Sequence, residues 1–148
     1  MLLSISLSAC QTAGVAERTA RIPGQAWQAS FTPSFDFDIT DTVSRYRIYV
    51  VIRHSDAYRY KNLWLQLSVS VPGEPIRSER LNLVLATDEK GWLGKGMDDI
   101  FEQRILLNTL PSAFRKTGVY TYTLRHLMRE DPLEHVMNAG VRIEKAIE

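Results

Sequence analysis

No second cysteine accompanies Cys10, so the chain closes no internal disulfide and builds no thiolate zinc cluster, which needs ligand pairs at fixed spacing. Charge of one sign is also missing. Eighteen Lys and Arg against 17 Asp and Glu leave a net charge of +1, too little to draw nucleic acid or an anionic membrane surface. No stretch reaches the ~18 consecutive apolar residues of a spanning helix. Only three histidines occur, His54, His126 and His135. They are widely separated, with no HExxH or His-x-His pattern, so neither a metal nor another cofactor is expected. There is no GxSxG elbow. Gly91-Trp92-Leu93-Gly94-Lys95-Gly96 fails as a phosphate loop, because Lys95 precedes Gly96 and not Ser or Thr. These absences argue against an enzyme.

What remains is a composition ordinary for one globular domain, 45% apolar and 24% charged over 148 residues. The first ten residues, MLLSISLSAC, are an exception. Residues 1–9 read as the remnant of an export signal, apolar with small serines. Leu7-Ser8-Ala9-Cys10 resembles a bacterial lipobox, in which the cysteine accepts a diacylglyceryl group and becomes the new, acylated amino terminus. Two or more acyl chains anchor a protein stably where one does not. The run is short and no Lys or Arg precedes it, so the recorded start is expected to lie downstream of the true one, or the chain to be trimmed. The competing reading is a buried N-terminal strand with an inert cysteine. Residues 10–24 then read as lipidated cysteine and tether. The 14 residues QTAGVAERTARIPG are small and polar without a period, and a flexible coil of that length spans roughly 20 Å.

From residue 25 to 148 a single domain is expected, with a dominant period of two. Phe35, Phe37 and Ile39 alternate with Asp36 and Asp38. Tyr46, Ile48, Val50 and Ile52 form a second stripe; Leu63, Leu65, Leu67, Val69 and Val71 form the clearest one, closed by Pro72-Gly73. Leu81 to Leu85, Ile105 to Leu107, Tyr120 to Leu124 and Val141 to Ile143 add further strands. The pattern predicts an all-β protein, an antiparallel β-sandwich of jelly-roll or immunoglobulin-like kind with at most short helical turns. Helical turns are expected within residues 96–104 and 129–138, the latter starting at Asp131-Pro132.

Several matching stretches, in this order, carry a resemblance: FDFDITD from Phe35, YVVIRHSDAYRYKNLWL from Tyr49, GWLGKGMDDI from Gly91, FRKTGVYTYTL from Phe114, MRED from Met128 and GVRIEK from Gly140. With the lipobox at Cys10, the chain resembles the gliding-motility lipoprotein GldH family of the Bacteroidetes. That resemblance implies a cell-envelope lipoprotein on the periplasmic face of the inner or outer membrane. It further implies partners among other motility lipoproteins and the type IX secretion machinery, and no catalytic residue.

Three groups of side chains remain as candidate sites. Trp92 either packs against the sandwich or, exposed beside Asp98 and Asp99, anchors a protein partner; Met128, Arg129 and Asp131 form a second corner of that contact surface. Tyr58, Tyr60 and Trp64 suit a sugar-binding alternative, which needs exposed, coplanar rings, or else pack across strands. Asp36, Asp38 and Asp41 either hold calcium with help from a loop or form a solvated face. The first two lie about 7 Å apart on a strand.

Overall fold

The computed structural model describes residues 14–146. The expected signal remnant at 1–9 and Cys10, the expected lipid acceptor, lie outside the described residues. In chain order the strands are β1 (Val15–Arg21), β2 (Ala26–Trp27), β3 (Ser34–Ile39), β4 (Tyr46–Ser55), β5 (Asn62–Ser70), β6 (Arg77–Val84), β7 (Ala86–Thr87), β8 (Gly91–Trp92), β9 (Lys95–Met97), β10 (Ile100–Leu106), β11 (Gly118–His126), β12 (Leu133–Glu134) and β13 (Val136–Lys145). Among the described residues the helical content is one 3-10 turn, Pro23–Gln25. A five-stranded antiparallel sheet, β1-β13-β4-β10-β9, packs on a four-stranded one, β3-β11-β5-β6. This is the β-sandwich that the alternating stripes predict.

Alternation places the core. Phe35 and Phe37 of β3, Leu63, Leu65 and Leu67 of β5, and Tyr120, Tyr122 and Leu124 of β11 are buried on the inner face of one sheet. Val50 and Ile52 of β4 and Ala139, Val141 and Ile143 of β13 meet them from the other. Burying an aliphatic or aromatic side chain of this kind contributes about 1.5–3 kcal/mol, so these rows dominate stability.

Three expectations are corrected. Val15–Arg21, read as part of a tether, is a strand that pairs with β13 from Val15↔Glu144 to Arg21↔Asn138. The sheet therefore takes in residues well before residue 25. The inward residues of β1 are Ala16, Arg18 and Ala20, too small or too polar to print an apolar stripe. Arg18 instead lays its guanidinium 5.6 Å from the Phe37 ring centre. Residues 96–104 hold the hairpin of β9 and β10, not a helical turn, with Ile100↔Met97 and Phe101↔Gly96 in register. Residues 129–138 hold β12 and the start of β13, and Asp131-Pro132 is a cis peptide bond where a helix start was expected.

The outer face of the five-stranded sheet carries one ionic cluster. Glu17 of β1 receives Arg142 at 3.4 Å and Arg104 at 3.6 Å, and Arg142 also reaches Glu144 at 3.3 Å. These partly exposed pairs contribute little each. Val51, on the outward side of β4 in register with Arg104 and Gly140, is 1% exposed beneath this face.

Candidate partner-binding cleft

The first candidate, Trp92, packs. It is half-buried, with its ring centre 4.5 Å from that of His54 and 5.8 Å from that of Phe101. His54 is fully buried on β4. Gln103 of β10 donates from Nε2 to the Leu85 carbonyl at 3.0 Å and to His54 Nε2 at 3.2 Å. His54 Nε2 is therefore an acceptor, and Nδ1–H donates to the Ser55 carbonyl at 2.8 Å. Burial holds the His54 pKa below its ordinary value, with the Ser55 bond opposing. Asp98 and Asp99 stay exposed at the β9–β10 turn. The Asp99 carbonyl accepts from the Asp56 amide at 2.8 Å, and Asp98 takes a positive φ of 55°.

The other candidates converge on one place. Tyr60, Asn62, Trp64, Arg80, Leu127, Met128 and Arg129 line an open cleft of about 440 Å³. It joins Met128 and Arg129 from the expected protein-contact corner to Tyr60 and Trp64 from the sugar-binding alternative. The pairing of β5 with β11 brings them together, since Leu65 faces His126 and the Leu127 amide bonds the Trp64 carbonyl at 2.8 Å. Trp64 is outward-facing and 40% exposed. Its backbone amide donates to the Met128 sulfur at 3.3 Å, which seats the methionine beside it.

The walls are held from behind. Tyr60 donates its hydroxyl to Glu130 at 2.9 Å, and Arg59 reaches Glu130 at 3.2 Å and Glu134 at 3.4 Å. The hydrogen bond to Glu130 is the main reason the Tyr60 phenol pKa is raised. His126, buried beneath, accepts the Met128 amide on Nδ1 at 3.2 Å and points Nε2 toward Asp131 at 3.6 Å. Burial lowers its pKa, and Asp131 opposes that shift. Asp131 also accepts the Ala29 amide at 2.9 Å, so this residue fixes the corner and is not among those lining the cleft.

Tyr58 lies under the cleft and not in it. It is 4% exposed, donates its hydroxyl to the Asn62 carbonyl at 2.8 Å, and meets Tyr60 edge-on at 75°. The exposed, coplanar rings that a sugar platform needs are therefore not formed by Tyr58, Tyr60 and Trp64. Two of the three acids in and after β3 are engaged locally. Asp36 accepts from the Thr121 hydroxyl at 2.7 Å. Asp41 accepts the Val43 and Ser44 amides and the Tyr46 hydroxyl, and the Ser44 side chain, followed by these groups, holds its carboxyl well below the usual range. Among the described residues no three His, Cys, Asp or Glu are grouped to hold a metal ion. Asn62, Arg80 and Leu127 were not candidates from sequence; only the outward alternation of β6 signals Arg80.

A family model described as GldH lipoprotein matches residues 14–143. The "Gliding motility lipoprotein GldH homolog" of Christiangramia forsetii is 27% identical over 127 residues, covering 81% of this chain and 78% of that protein. The "Gliding motility lipoprotein GldH" of Flavobacterium johnsoniae is 24% identical over 152 aligned positions, covering 98% of this chain and 93% of that protein. The matched span takes in every strand that builds the cleft, and the chain belongs to the GldH lipoprotein family.

Proposed function

We propose that this chain is a non-catalytic component of the gliding-motility apparatus, associated with the type IX secretion machinery and held at the periplasmic face of an envelope membrane by lipid on Cys10. In this reading it acts through protein contacts, and the Trp64 cleft is the contact surface. The names of its relatives support the motility role. The observation that carries the contact surface is the cleft's composition. Tyr60, Trp64, Met128, Arg80 and Arg129 are the residue types enriched at interfaces and their energetic centres.

The test is a photo-crosslinking amino acid at position 64 of the tagged, full-length protein in cells, followed by mass spectrometry. Motility lipoproteins or secretion subunits are expected at position 64 and not at position 45, on a distant loop. Envelope glycan recovered in their place would return the cleft to sugar binding. Anchoring is tested separately. Cys10→Ser is expected to leave the fold intact and to release the protein from the membrane fraction; labelled fatty acid incorporated equally into both forms would remove Cys10 as the lipid acceptor.

A further inference from the structure

The outer face of the four-stranded sheet separates its charges. Register fixes the rows: Arg125 of β11, Gln66 of β5 and Arg80 of β6 lie side by side. Trp64 stands one step along, beside Asn82, and Arg129 closes the cleft beyond the end of β11. Strands lie ~4.8 Å apart, so Arg80 and Arg125 sit about 10 Å from each other with Trp64 diagonal to both. Among the described residues none of these three arginines makes an ion pair, whereas Arg59, Arg104 and Arg142 do. The nearby carboxylates are occupied. Glu130 serves Arg59 and Tyr60, and Asp131 serves the Ala29 amide and faces His126. Along β5, β6 and β11 this outer face otherwise carries Ser68, Ser70, Ser78, Thr121 and Thr123, with hydroxyls paired between Ser68 and Ser78 at 2.9 Å, and the exposed Val84 and Val119 at its ends. Its acids, Asp36 and Asp38, stand on β3 at the opposite edge.

Resting on the protein-contact reading above, we infer that the cleft takes a carboxylate-bearing peptide segment of a partner protein. The hydrocarbon of that segment lies on the Trp64 indole and Met128, and its carboxylates pair with Arg80, Arg125 and Arg129. Guanidinium groups suit this work because the planar fork matches a carboxylate and sheds water easily. A peptide fits better than an acidic glycan. Tyr58 is buried and Tyr60 is tied edge-on, which leaves a single indole where sugar recognition would use a platform.

The experiment measures fluorescence anisotropy of a labelled Glu-Val repeat peptide with the detergent-solubilised full chain. Its Gln-Val counterpart and oligogalacturonate are the comparison probes. The Glu-Val peptide is expected to bind more tightly than either, and to weaken as salt rises. The Arg80→Ala/Arg129→Ala double variant is expected to lose about tenfold in affinity, while Arg45→Ala on a distant loop leaves it unchanged. Equal affinity for the Gln-Val peptide, tighter binding of oligogalacturonate, or indifference to the double substitution would overturn the inference. So would dimers in sedimentation that Asp36→Asn/Asp38→Asn dissolves, which would assign the arginines to a second copy. If position 64 still crosslinks to a protein while the arginine variants change nothing, docking stands and acidic recognition fails. If no protein is crosslinked there, both fail.

Discussion

Gly140→Val is expected to unseat β1 from the sheet. Gly140 lies on β13 between Thr19 of β1 and Val51 of β4. A Cβ built there would stand 2.3 Å from the Arg18 carbonyl oxygen, 2.6 Å from Thr19 Cγ2 and 2.8 Å from Thr19 Cα. Two of these are backbone atoms within a ladder of seven register pairs, so no side-chain rotation relieves the clash. Overpacking usually costs about 1–3 kcal/mol, and a backbone obstacle places this case at about 3 kcal/mol, or roughly 10 °C in Tm for a domain this size. The strand that yields is β1, because β13 is held on its other side by the long pairing with β4. Losing β1 uncovers Ala139, Val141 and Ile143 and removes the Arg18 contact with Phe37. Hydrogen exchange gives the local readout: amides of β1 lose protection while those of β10 keep theirs. Unchanged Tm together with a protected β1 would show that the sheet spreads to admit the side chain.

The same strand shows where sequence reading stops. β3, β5 and β11 are legible because their inward residues are large and apolar at every second position. β1 offers Ala16, Arg18 and Ala20 inward, and its stability comes from hydrogen bonds to β13 and from a cation over an aromatic ring. Neither leaves a periodic trace. β10 is half legible for a related reason. Its inward row reads Phe101, Gln103, Ile105, and the central glutamine interrupts the stripe because it serves His54 and the Leu85 carbonyl. A lone amide between apolar neighbours on a strand is a usable signal of a buried polar partner.

The cleft was legible in halves. Met128 and Arg129 on one side, and Tyr60 and Trp64 on the other, stand out by residue type. Their union depends on β5 pairing with β11, a contact between residues some sixty positions apart that no local pattern encodes. Arg80 and Arg125 are hidden differently, since either looks like any solvated charge until the register sets them around Trp64.

Acidification is expected to destabilise the protein through His54. Its ordinary pKa is 6.5, and burial holds the folded value lower. Above about pH 7 the ring is neutral in both states and contributes no pH dependence. As pH falls below 6.5 the unfolded chain takes up a proton that the folded chain refuses, so stability declines until the folded pKa is reached. The slope is up to about 1.4 kcal/mol per pH unit for each such group. The hydrogen bonds give the reason in atomic terms. Nδ1–H already donates to Ser55, so protonating Nε2 sets an N–H against the Gln103 amide, with Trp92, Phe101 and Tyr58 packed around the ring. His126 titrates in the same direction, with the Asp131 charge opposing the effect of burial. Its protonation would also compete for the Nδ1 lone pair that holds the Met128 amide, and so loosen the cleft wall. Thermal unfolding of wild type, His54→Gln and His126→Gln from about pH 8 to pH 5 separates the two. His54→Gln is expected to start lower and to lose most of the slope below pH 6.5. His126→Gln is expected to keep that slope and to lose exchange protection at Met128. A slope that survives in His54→Gln would move the titration away from the buried ring. The neutral histidine that Gln103 requires would then not be what sets the acid limit of the fold.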